Sequence, residues 1–297
     1  MEREVDLDDS GLLRRLAQAV QRAGPFGRQL GARVTAAIRL LPDFIIIGAQ
    51  RAGTTSLYQY LSDHPHIRVP RRKEVHFFDF NFHRGTRWYQ SNFPSVVHKA
   101  YIRRVRRRDI MTGEASPYYL FHPHAARRAV RVVPRAKLIV LLRNPVDRAY
   151  SHYSLCVHRG IEHLSFGEAI DREQERLDGE LAKMLANESY YSFSHRHYSY
   201  LSRGIYVVQL RAWMECFPRE QFLILRSEDL FQEPERTYRR VLSFLGLPPH
   251  TLAAYDQYYP LSDGEMPRAL RERLIDYFAP YSQQLYEFLG LDFGWNR

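Results

Sequence analysis

The segment Phe44–Tyr60 carries the residue pattern best suited to binding a phosphate group. Phe44–Ile47 is a short apolar run with three isoleucines, as expected of a strand that is buried on both faces. Gly48 and Gly53 bracket a loop, and Thr54–Ser56 then open a helix. Such a loop directs several backbone N–H groups to one point, with the positive end of a helix dipole behind them. The segment therefore predicts a strand, an anion-binding loop and a helix.

The loop departs from the P-loop pattern G-x-x-x-x-G-K-[ST] at one position. Gly48 and Gly53 have the required spacing, but Thr54 stands where the pattern has lysine, and the nearest cation is Arg51. That lysine normally reaches the β- and γ-phosphates of ATP, so its absence favours a different phosphate-bearing donor. The alternative is a glycine-rich turn in an ordinary βαβ unit.

A second anion-binding pattern follows the apolar run Lys137–Leu142. Arg143 ends this predicted strand, and Pro145 suits the first turn of a helix. Ser151 lies eight residues after Arg143, about two helical turns up the same side. An arginine at a strand end and a helical serine hydroxyl can together bind a second phosphate. The alternative is a salt bridge between Arg143 and Asp147.

A third segment places ionisable groups among apolar ones. Lys73, Glu74, His76 and Asp79 alternate with Val75 and two phenylalanines. If the segment is extended, Glu74 and His76 lie on one side of the chain. A partly buried glutamate beside a histidine can accept a proton from a hydroxyl group when its pKa is raised toward neutrality. The alternative is a surface segment anchored in the core by the phenylalanines, with solvated charges.

Strand patterns alternate with helical patterns along residues 42–297. This alternation predicts an α/β protein of one domain, with a P-loop-like three-layer α/β/α architecture around a central parallel sheet. In such sheets ligands bind at the carboxyl ends of the strands. The predicted strands are 44–47, 109–113, 137–142 and 221–225, and the predicted helices are 54–62, 124–133, 145–158, 166–178, 204–216, 234–245 and 267–289.

Composition limits the class of protein and its partners. The chain of 297 residues is 45% hydrophobic, as in globular proteins, and its net charge of +10 suits an anionic partner. No nucleic-acid-binding signature accompanies that charge, and we expect no nucleic-acid partner. The acidic start lacks the apolar core of a secretory signal, and two cysteines, Cys156 and Cys216, form no disulfide framework. We therefore expect a cytoplasmic location.

Residues 1–41 are predicted to form a separate, basic and amphipathic helical segment. Apolar residues recur at helical spacing among arginines over residues 11–41. A basic amphipathic helix can lie on an anionic membrane surface, which would make the protein membrane-peripheral through a weak contact. The alternatives are a helical pair packed on the domain and a contact with a partner protein.

Together, the three segments resemble the sulfotransferases that use 3′-phosphoadenosine 5′-phosphosulfate (PAPS). Residues 48–57 resemble the 5′-phosphosulfate loop of that family, and residues 143–151 resemble its 3′-phosphate motif. Residues 73–79 resemble a segment of the heparan-sulfate, or glucosaminyl, branch. The resemblance extends over residues 42–290 and implies the sulfotransferase fold.

The resemblance also implies roles for individual residues. PAPS would be the donor and adenosine 3′,5′-bisphosphate the product, with no metal. Glu74 would be the general base, assisted by His76, and Arg51 would be the cation near the bridging oxygen. The donor-binding residues would be Arg51, Ala52, Gly53, Thr54, Thr55, Ser56, Arg143 and Ser151. Acceptor-binding roles would fall on Lys73 and Asp79. Apart from the resemblance, the aromatic, histidine-rich stretch with His195, His197 and Tyr198 suits a wall or lid of the acceptor cleft, and the alternative is a loop that caps the sheet.

The predicted activity is sulfuryl transfer to a hydroxyl or amine, on a carbohydrate or a glycosylated small molecule. The enzymatic alternative is a P-loop nucleotide or small-molecule kinase, and the non-enzymatic alternative is a binder of anionic glycans. The sequence departs from the family pattern in having Arg51 and Ala115 where lysines are usual. Arg268 is the only cation in residues 258–268, which replace a Lys-Gly-Arg loop over the donor.

Overall fold

The computed structural model describes residues 35–70, 73–258 and 266–295. Residues 1–34 of the predicted amphipathic segment lie outside these ranges. The described end of that segment contains one short 3-10 helix, Ala36–Ile38. Most of residues 258–268 likewise lie outside the described ranges. Among the helices that are described, none is both long enough and apolar enough to cross a membrane.

A single five-stranded sheet forms the centre of the molecule. Its strands lie in the order β2-β3-β1-β4-β5, and every pairing is parallel, which confirms the predicted α/β architecture. The four predicted strands are present. The second strand has only two residues, too few to show a periodic pattern in the sequence. The strands are β1 (Phe44–Gly48), β2 (Ile67–Arg68), β3 (Met111–Ala115), β4 (Lys137–Leu142) and β5 (Phe222–Arg226).

The helices lie between and after the strands. Three predicted helices, 54–62, 145–158 and 234–245, have the expected bounds. The prediction of one helix over 166–178 is wrong, because the chain breaks at Arg172 into two short helices. The described α-helices are α1 (Thr54–Ser62), α2 (Gly85–Gln90), α3 (Val96–Arg106), α4 (Ala125–Val132), α5 (Pro145–His158), α6 (Phe166–Asp171), α7 (Glu173–Leu177), α8 (Glu180–Ala186), α9 (Phe193–His197), α10 (Tyr206–Met214), α11 (Ser227–Gln232), α12 (Pro234–Leu245) and α13 (Arg268–Leu289).

Strand β1 lies at the middle of the sheet and is completely buried. Its neighbours are β3 on one side and β4 on the other. The chain runs from β1 to β2 and β3 on one side and then crosses to β4 on the other, and this change of side opens a crevice at the carboxyl ends of the strands. The loop after β1, the turn after β3 and Arg143 after β4 all reach this crevice.

Close packing fixes the contact between β1 and β3. Phe44 lies opposite Gly113 in the register of the two strands. A Cβ atom at Gly113 would stand 2.4 to 2.5 Å from carbons of the Phe44 ring, closer than real contacts allow. The ring of Phe44 therefore occupies the space that a side chain at residue 113 would need.

We expect the substitution Gly113→Ala to lower the free energy of unfolding by about 1–3 kcal/mol, because it overpacks the core against Phe44. Urea unfolding would measure the change. Gly167→Ala is the matched control, since Gly167 lies in α6 with nothing within 4 Å of the added methyl group. The control should be neutral or stabilising by up to about 1 kcal/mol. Equal unfolding energies for the two variants would contradict this packing argument.

Candidate active site

A cavity of about 360 Å³ lies at the carboxyl ends of the strands. All three segments that the sequence singled out contribute to its wall. Six predicted site residues lie behind that wall: Ala52, Ser56, Asp79, Ser151, His195 and Tyr198. Those that line it are Arg51, Gly53, Thr54, Thr55, Lys73, Glu74, His76, Arg143 and His197.

The loop after β1 leads directly into the N-terminus of α1. Gly53 takes a positive φ of 84°, and a Cβ there would lie 3.0 to 3.2 Å from Leu230 and Phe231. The first amides of α1 have no partner within the helix and are available to an anion. The amide of Ala52 is not free in the same way, because it donates to the carbonyl of Ala49 at 3.3 Å. The anion-binding groups of this loop are therefore those that begin at Gly53.

The two predicted phosphate segments touch each other through Arg51. Its Nε donates to Ser151 Oγ at 2.9 Å, and its carbonyl accepts a hydrogen bond of 3.1 Å from Arg143 Nη1. Burial, and then the nearby charge of Arg143, lowers the pKa of Arg51. Arg143 does not form the alternative salt bridge to Asp147, whose carboxylate pairs with Arg271 at 2.7 Å. Two arginines thus lie together beside the loop.

The segment after β2 is not extended, so the condition under which alternation would put Glu74 and His76 on one side of the chain is not met. Glu74 and His76 both adopt positive φ values, 63° and 52°. Their side chains nevertheless meet, with His76 Nε2 3.3 Å from Glu74 Oε2. Lys73 Nζ lies 2.7 Å from the other oxygen of Glu74, and Asp79 Oδ2 lies 2.6 Å from His76 Nδ1. A chain of four charged groups results, with Glu74 at the cavity and the buried Asp79 behind it.

These contacts set the charge state of Glu74. Burial by itself would raise its pKa, but the hydrogen bond to His76 and the charge of Lys73 outweigh burial and lower the pKa to about 2. Burial likewise opposes the charge on His76, but hydrogen bonds to Asp79 and Glu74 raise its pKa to about 9. The condition that the pKa of Glu74 be raised toward neutrality is therefore not met. At neutral pH the group is a carboxylate, the form that can accept a proton.

We expect Asp79→Asn to lower the pKa of His76 from about 9, because it removes the carboxylate at Nδ1. In the parent protein, protonation of His76 stabilises the fold below its ordinary pKa of 6.5. This contribution is lost as the pH rises through about 9. NMR titration of the His76 ring and urea unfolding at each pH would measure both effects. Asp109→Asn, at an exposed aspartate, should leave the ring titration unchanged. An unchanged His76 pKa in Asp79→Asn would contradict the pairing.

Helix α9 and the residues around it form part of the opposite wall. His197 lines the cavity as predicted, and so does its neighbour Arg196. His195 is buried behind them, with Nδ1 2.6 Å from the hydroxyl of Tyr118. Tyr198 donates its hydroxyl hydrogen to a backbone carbonyl at 3.2 Å. Only His197, of the three residues predicted here, faces the cavity.

Ten lining residues were not predicted as site residues, among them the polar Gln50, Tyr118, Arg159 and Arg196. Arg159 directly follows α5 and lies four residues after Leu155 and three after Cys156, which also line the cavity, and this helical spacing is the signal that could have identified it. The others depend on how the loops fold against one another. No local sequence pattern indicates them.

The charges around the cavity suit an anionic ligand. Its lining among the described residues includes the cations Arg51, Lys73, Arg143, Arg159 and Arg196, and Glu74 is the one carboxylate. Such a set attracts phosphate and sulfate groups. Within the described ranges, no group of three or more histidine, cysteine, aspartate and glutamate side chains is arranged to hold a metal ion.

The chain matches the sulfotransferase domain family over residues 41–262. It is similar to the crystal structure of a sulfotransferase from Alicyclobacillus acidocaldarius, with 33% identity and a TM-score of 0.64. That match covers 87% of this chain and 100% of the bacterial one.

Two curated relatives show the same similarity in sequence. The membrane-associated sulfotransferase kil1 of Dictyostelium discoideum is 26% identical over 86% of this chain and 67% of its own length. The bifunctional heparan sulfate N-deacetylase/N-sulfotransferase 1 of Caenorhabditis elegans is 32% identical over 84% of this chain. The chain spans only 30% of the length of that bifunctional enzyme.

Proposed function

The chain belongs to the sulfotransferase domain family, and we propose that it transfers a sulfuryl group from PAPS to an acceptor hydroxyl or amine, with Glu74 as the general base. The observation that carries this proposal is the shared cavity. The loop after β1, Arg143 and Glu74 come from distant parts of the sequence and line the same space. An anion-binding loop, a second cation and a carboxylate base are what sulfuryl transfer requires.

The donor side of the cavity would hold the two phosphate-bearing ends of PAPS. Free amides at the start of α1 and the hydroxyls of Thr54 and Thr55 would hold the 5′-phosphosulfate. Arg143 and Ser151 would hold the 3′-phosphate, and adenosine 3′,5′-bisphosphate would be the product. The fit is supported by the lining of the cavity, in which Arg51 and Arg143 accompany Thr54 and Thr55 at the start of α1. PAPS supplies the activated sulfuryl group, and this chain supplies the cations.

The acceptor side of the cavity would activate the incoming oxygen or nitrogen. Glu74 would take the proton of the acceptor group as the new bond to sulfur forms. His76, held by Asp79, would keep the Glu74 carboxylate in place, since it lies 3.3 Å from one of its oxygens. In-line displacement would build negative charge on the departing phosphate, and Arg51 and the α1 N-terminus would stabilise that charge.

The acceptor is a carbohydrate on this proposal, and an anionic glycan suits it best. Heparan sulfate is the glycan in the name of the Caenorhabditis elegans relative. Arg159 and Arg196 give the cavity cations beyond those that the donor would use. Thr54 in place of the P-loop lysine disfavours the kinase alternative.

Incubation of the purified chain with PAPS labelled in the sulfuryl group would test the proposal. The acceptors would be heparan sulfate, N-desulfated heparan, chondroitin and neutral oligosaccharides. We expect label on at least one anionic glycan. Binding of glycans without transfer would favour the non-catalytic alternative, and transfer of labelled phosphate from ATP would favour the kinase.

We also propose a cytoplasmic, membrane-peripheral location through residues 11–41. The membrane-associated relative from Dictyostelium discoideum supports a peripheral contact. Flotation of the full chain with anionic vesicles, compared with neutral ones, would test it.

A further inference from the structure

The backbone of residues 73–79, called here the Glu74 segment, is held by Ala115 at the end of β3 and by Ser116 and Tyr119 just after it. The amide of Glu74 donates to the carbonyl of Ala115 at 3.1 Å. The amide of His76 donates to Ser116 Oγ at 3.2 Å, and that of Phe77 donates to the hydroxyl oxygen of Tyr119 at 2.7 Å. These three hydrogen bonds hold Glu74 and His76 in their positive-φ conformations, which side-chain-bearing residues seldom adopt without such support.

Both of these hydroxyl groups also bind one buried carboxylate. Ser116 Oγ donates to Glu114 Oε2 at 2.8 Å, and the Tyr119 hydroxyl donates to Glu114 Oε1 at 3.1 Å. The hydroxyl of Tyr89, on α2, donates to the same Oε1 at 2.5 Å. Glu114 is 1% exposed and lies outside the lining of the cavity. Its two oxygens are occupied by the hydroxyl groups of Ser116, Tyr119 and Tyr89 rather than directed into the cavity.

The chemistry of the carboxylate fixes the direction of these hydrogen bonds. An ionised carboxylate only accepts, and a hydroxyl has a single hydrogen to donate. The hydrogens of Ser116 and Tyr119 must therefore point to Glu114. Their oxygen lone pairs are left to accept from the amides of His76 and Phe77. A neutral or amide group at residue 114 would no longer impose this direction.

We propose that Glu114 is a positioning residue for sulfuryl transfer, which acts through Ser116 and Tyr119 to hold the Glu74 segment in its reactive conformation. This inference rests on the proposed role of Glu74 as the base. It assigns a task to a residue that the sequence pattern did not single out. A glutamate inside a buried strand is the signal that could have indicated it, because such a group requires partners.

Titration of Glu114 is consistent with this task. Burial raises its pKa to about 7, although hydrogen bonds from Tyr89, Ser116 and Tyr119 partly offset burial. The nearby carboxyl of Asp79 raises the pKa of Glu114 further. Burial, and then the charge of Glu114, raises the pKa of Tyr58 on α1. Protonation would turn one carboxyl oxygen into a donor, so we expect kcat to fall as the pH drops below about 7.

The substitution Glu114→Gln tests the role directly. The amide nitrogen of glutamine would donate to the hydroxyl oxygen of Ser116 or Tyr119. That oxygen would then be less available to accept a hydrogen bond from the backbone of the Glu74 segment. We expect kcat to fall about tenfold, the equivalent of one buried hydrogen bond, with the KM for PAPS unchanged. The fall in kcat below about pH 7 should also disappear. A parent-like kcat with a parent-like pH profile would overturn the proposal.

Two tyrosines provide a matched pair in case the Glu114 variant fails to fold. Tyr119→Phe and Tyr89→Phe each remove a hydroxyl that binds Glu114 Oε1. Only Tyr119 also accepts a hydrogen bond from the segment, at the amide of Phe77. We expect kcat to fall about tenfold in Tyr119→Phe and less than about twofold in Tyr89→Phe. Equal effects of the two variants would mean a merely structural role.

Hydrogen exchange of the backbone amides separates this inference from the proposed function. The peptide covering residues 74–78 should exchange faster in Tyr119→Phe and Ser116→Ala than in the parent or in Tyr89→Phe. This result does not require activity. If the parent transfers no sulfuryl group, the proposed function fails while exchange still tests the positioning. If the parent is active and all variants exchange alike, the positioning role fails and the function stands.

Discussion

Replacing Glu74 with glutamine is expected to lower the rate of sulfuryl transfer by about 10²–10⁴-fold, the usual contribution of a positioned general base. The carboxylate lies at the cavity, and Lys73 and His76 hold its pKa near 2, so it is unprotonated at neutral pH. Glutamine has nearly the same shape but cannot accept the proton. Transfer of label from PAPS to the best acceptor would measure the loss.

Donor binding provides the internal control for that variant. The affinity for adenosine 3′,5′-bisphosphate, measured by calorimetry, should stay unchanged in Glu74→Gln, because the donor side of the cavity is intact. Glu235→Gln is the matched control, since Glu235 is exposed on α12 in an ion pair with Arg239. It should transfer at the parent rate. Normal transfer by Glu74→Gln would show that another group is the base.

Replacing Arg143 with alanine is expected to weaken binding of adenosine 3′,5′-bisphosphate by about 1.5–3 kcal/mol, the range for a hydrogen bond to a charged group. Arg143 directly follows β4, is only 7% exposed and lines the cavity. Its Nη1 also donates to the carbonyl of Arg51, so the loop after β1 would lose one support. Isothermal calorimetry of the parent and the variant would measure the difference.

Two further variants make the Arg143 result specific. Arg143→Lys should give an intermediate affinity, because lysine keeps the charge but cannot bind a phosphate in the two-pronged geometry of arginine. Arg239→Ala, which removes an exposed arginine of α12 outside the cavity lining, should bind the bisphosphate as the parent does. Parent-like affinity of Arg143→Ala would remove this residue from the proposed 3′-phosphate site.

Local patterns in the sequence were sufficient to predict most of the fold. The apolar run before Gly48 and the run before Arg143 are strands because β-branched and apolar residues occur there without interruption. Gly48 marks the end of the first strand, and Pro145 begins the helix that follows the second. Since parallel strands share one carboxyl edge, their position along the sequence was enough to bring the two phosphate segments to one crevice.

Contacts between distant residues account for what the sequence did not predict. The charge state of Glu74 depends on the positive φ values of Glu74 and His76, which turn His76 and Lys73 onto one carboxylate. The hydrogen bond from Tyr89 to Glu114 joins helix α2 to strand β3. No periodic pattern records either of these arrangements, because both arise from the packing of separate elements.

The hydrogen bond between Arg51 and Ser151 has a thermodynamic consequence for the donor. If Ser151 holds the 3′-phosphate as proposed, its hydroxyl can accept from Arg51 Nε and donate its own hydrogen to a phosphate oxygen at the same time. The affinity that calorimetry measures would then include a hydroxyl that Arg51 has oriented before the donor enters. Removal of the Arg51 side chain would subtract a cation and release this hydroxyl at the same time, and both effects would weaken donor binding.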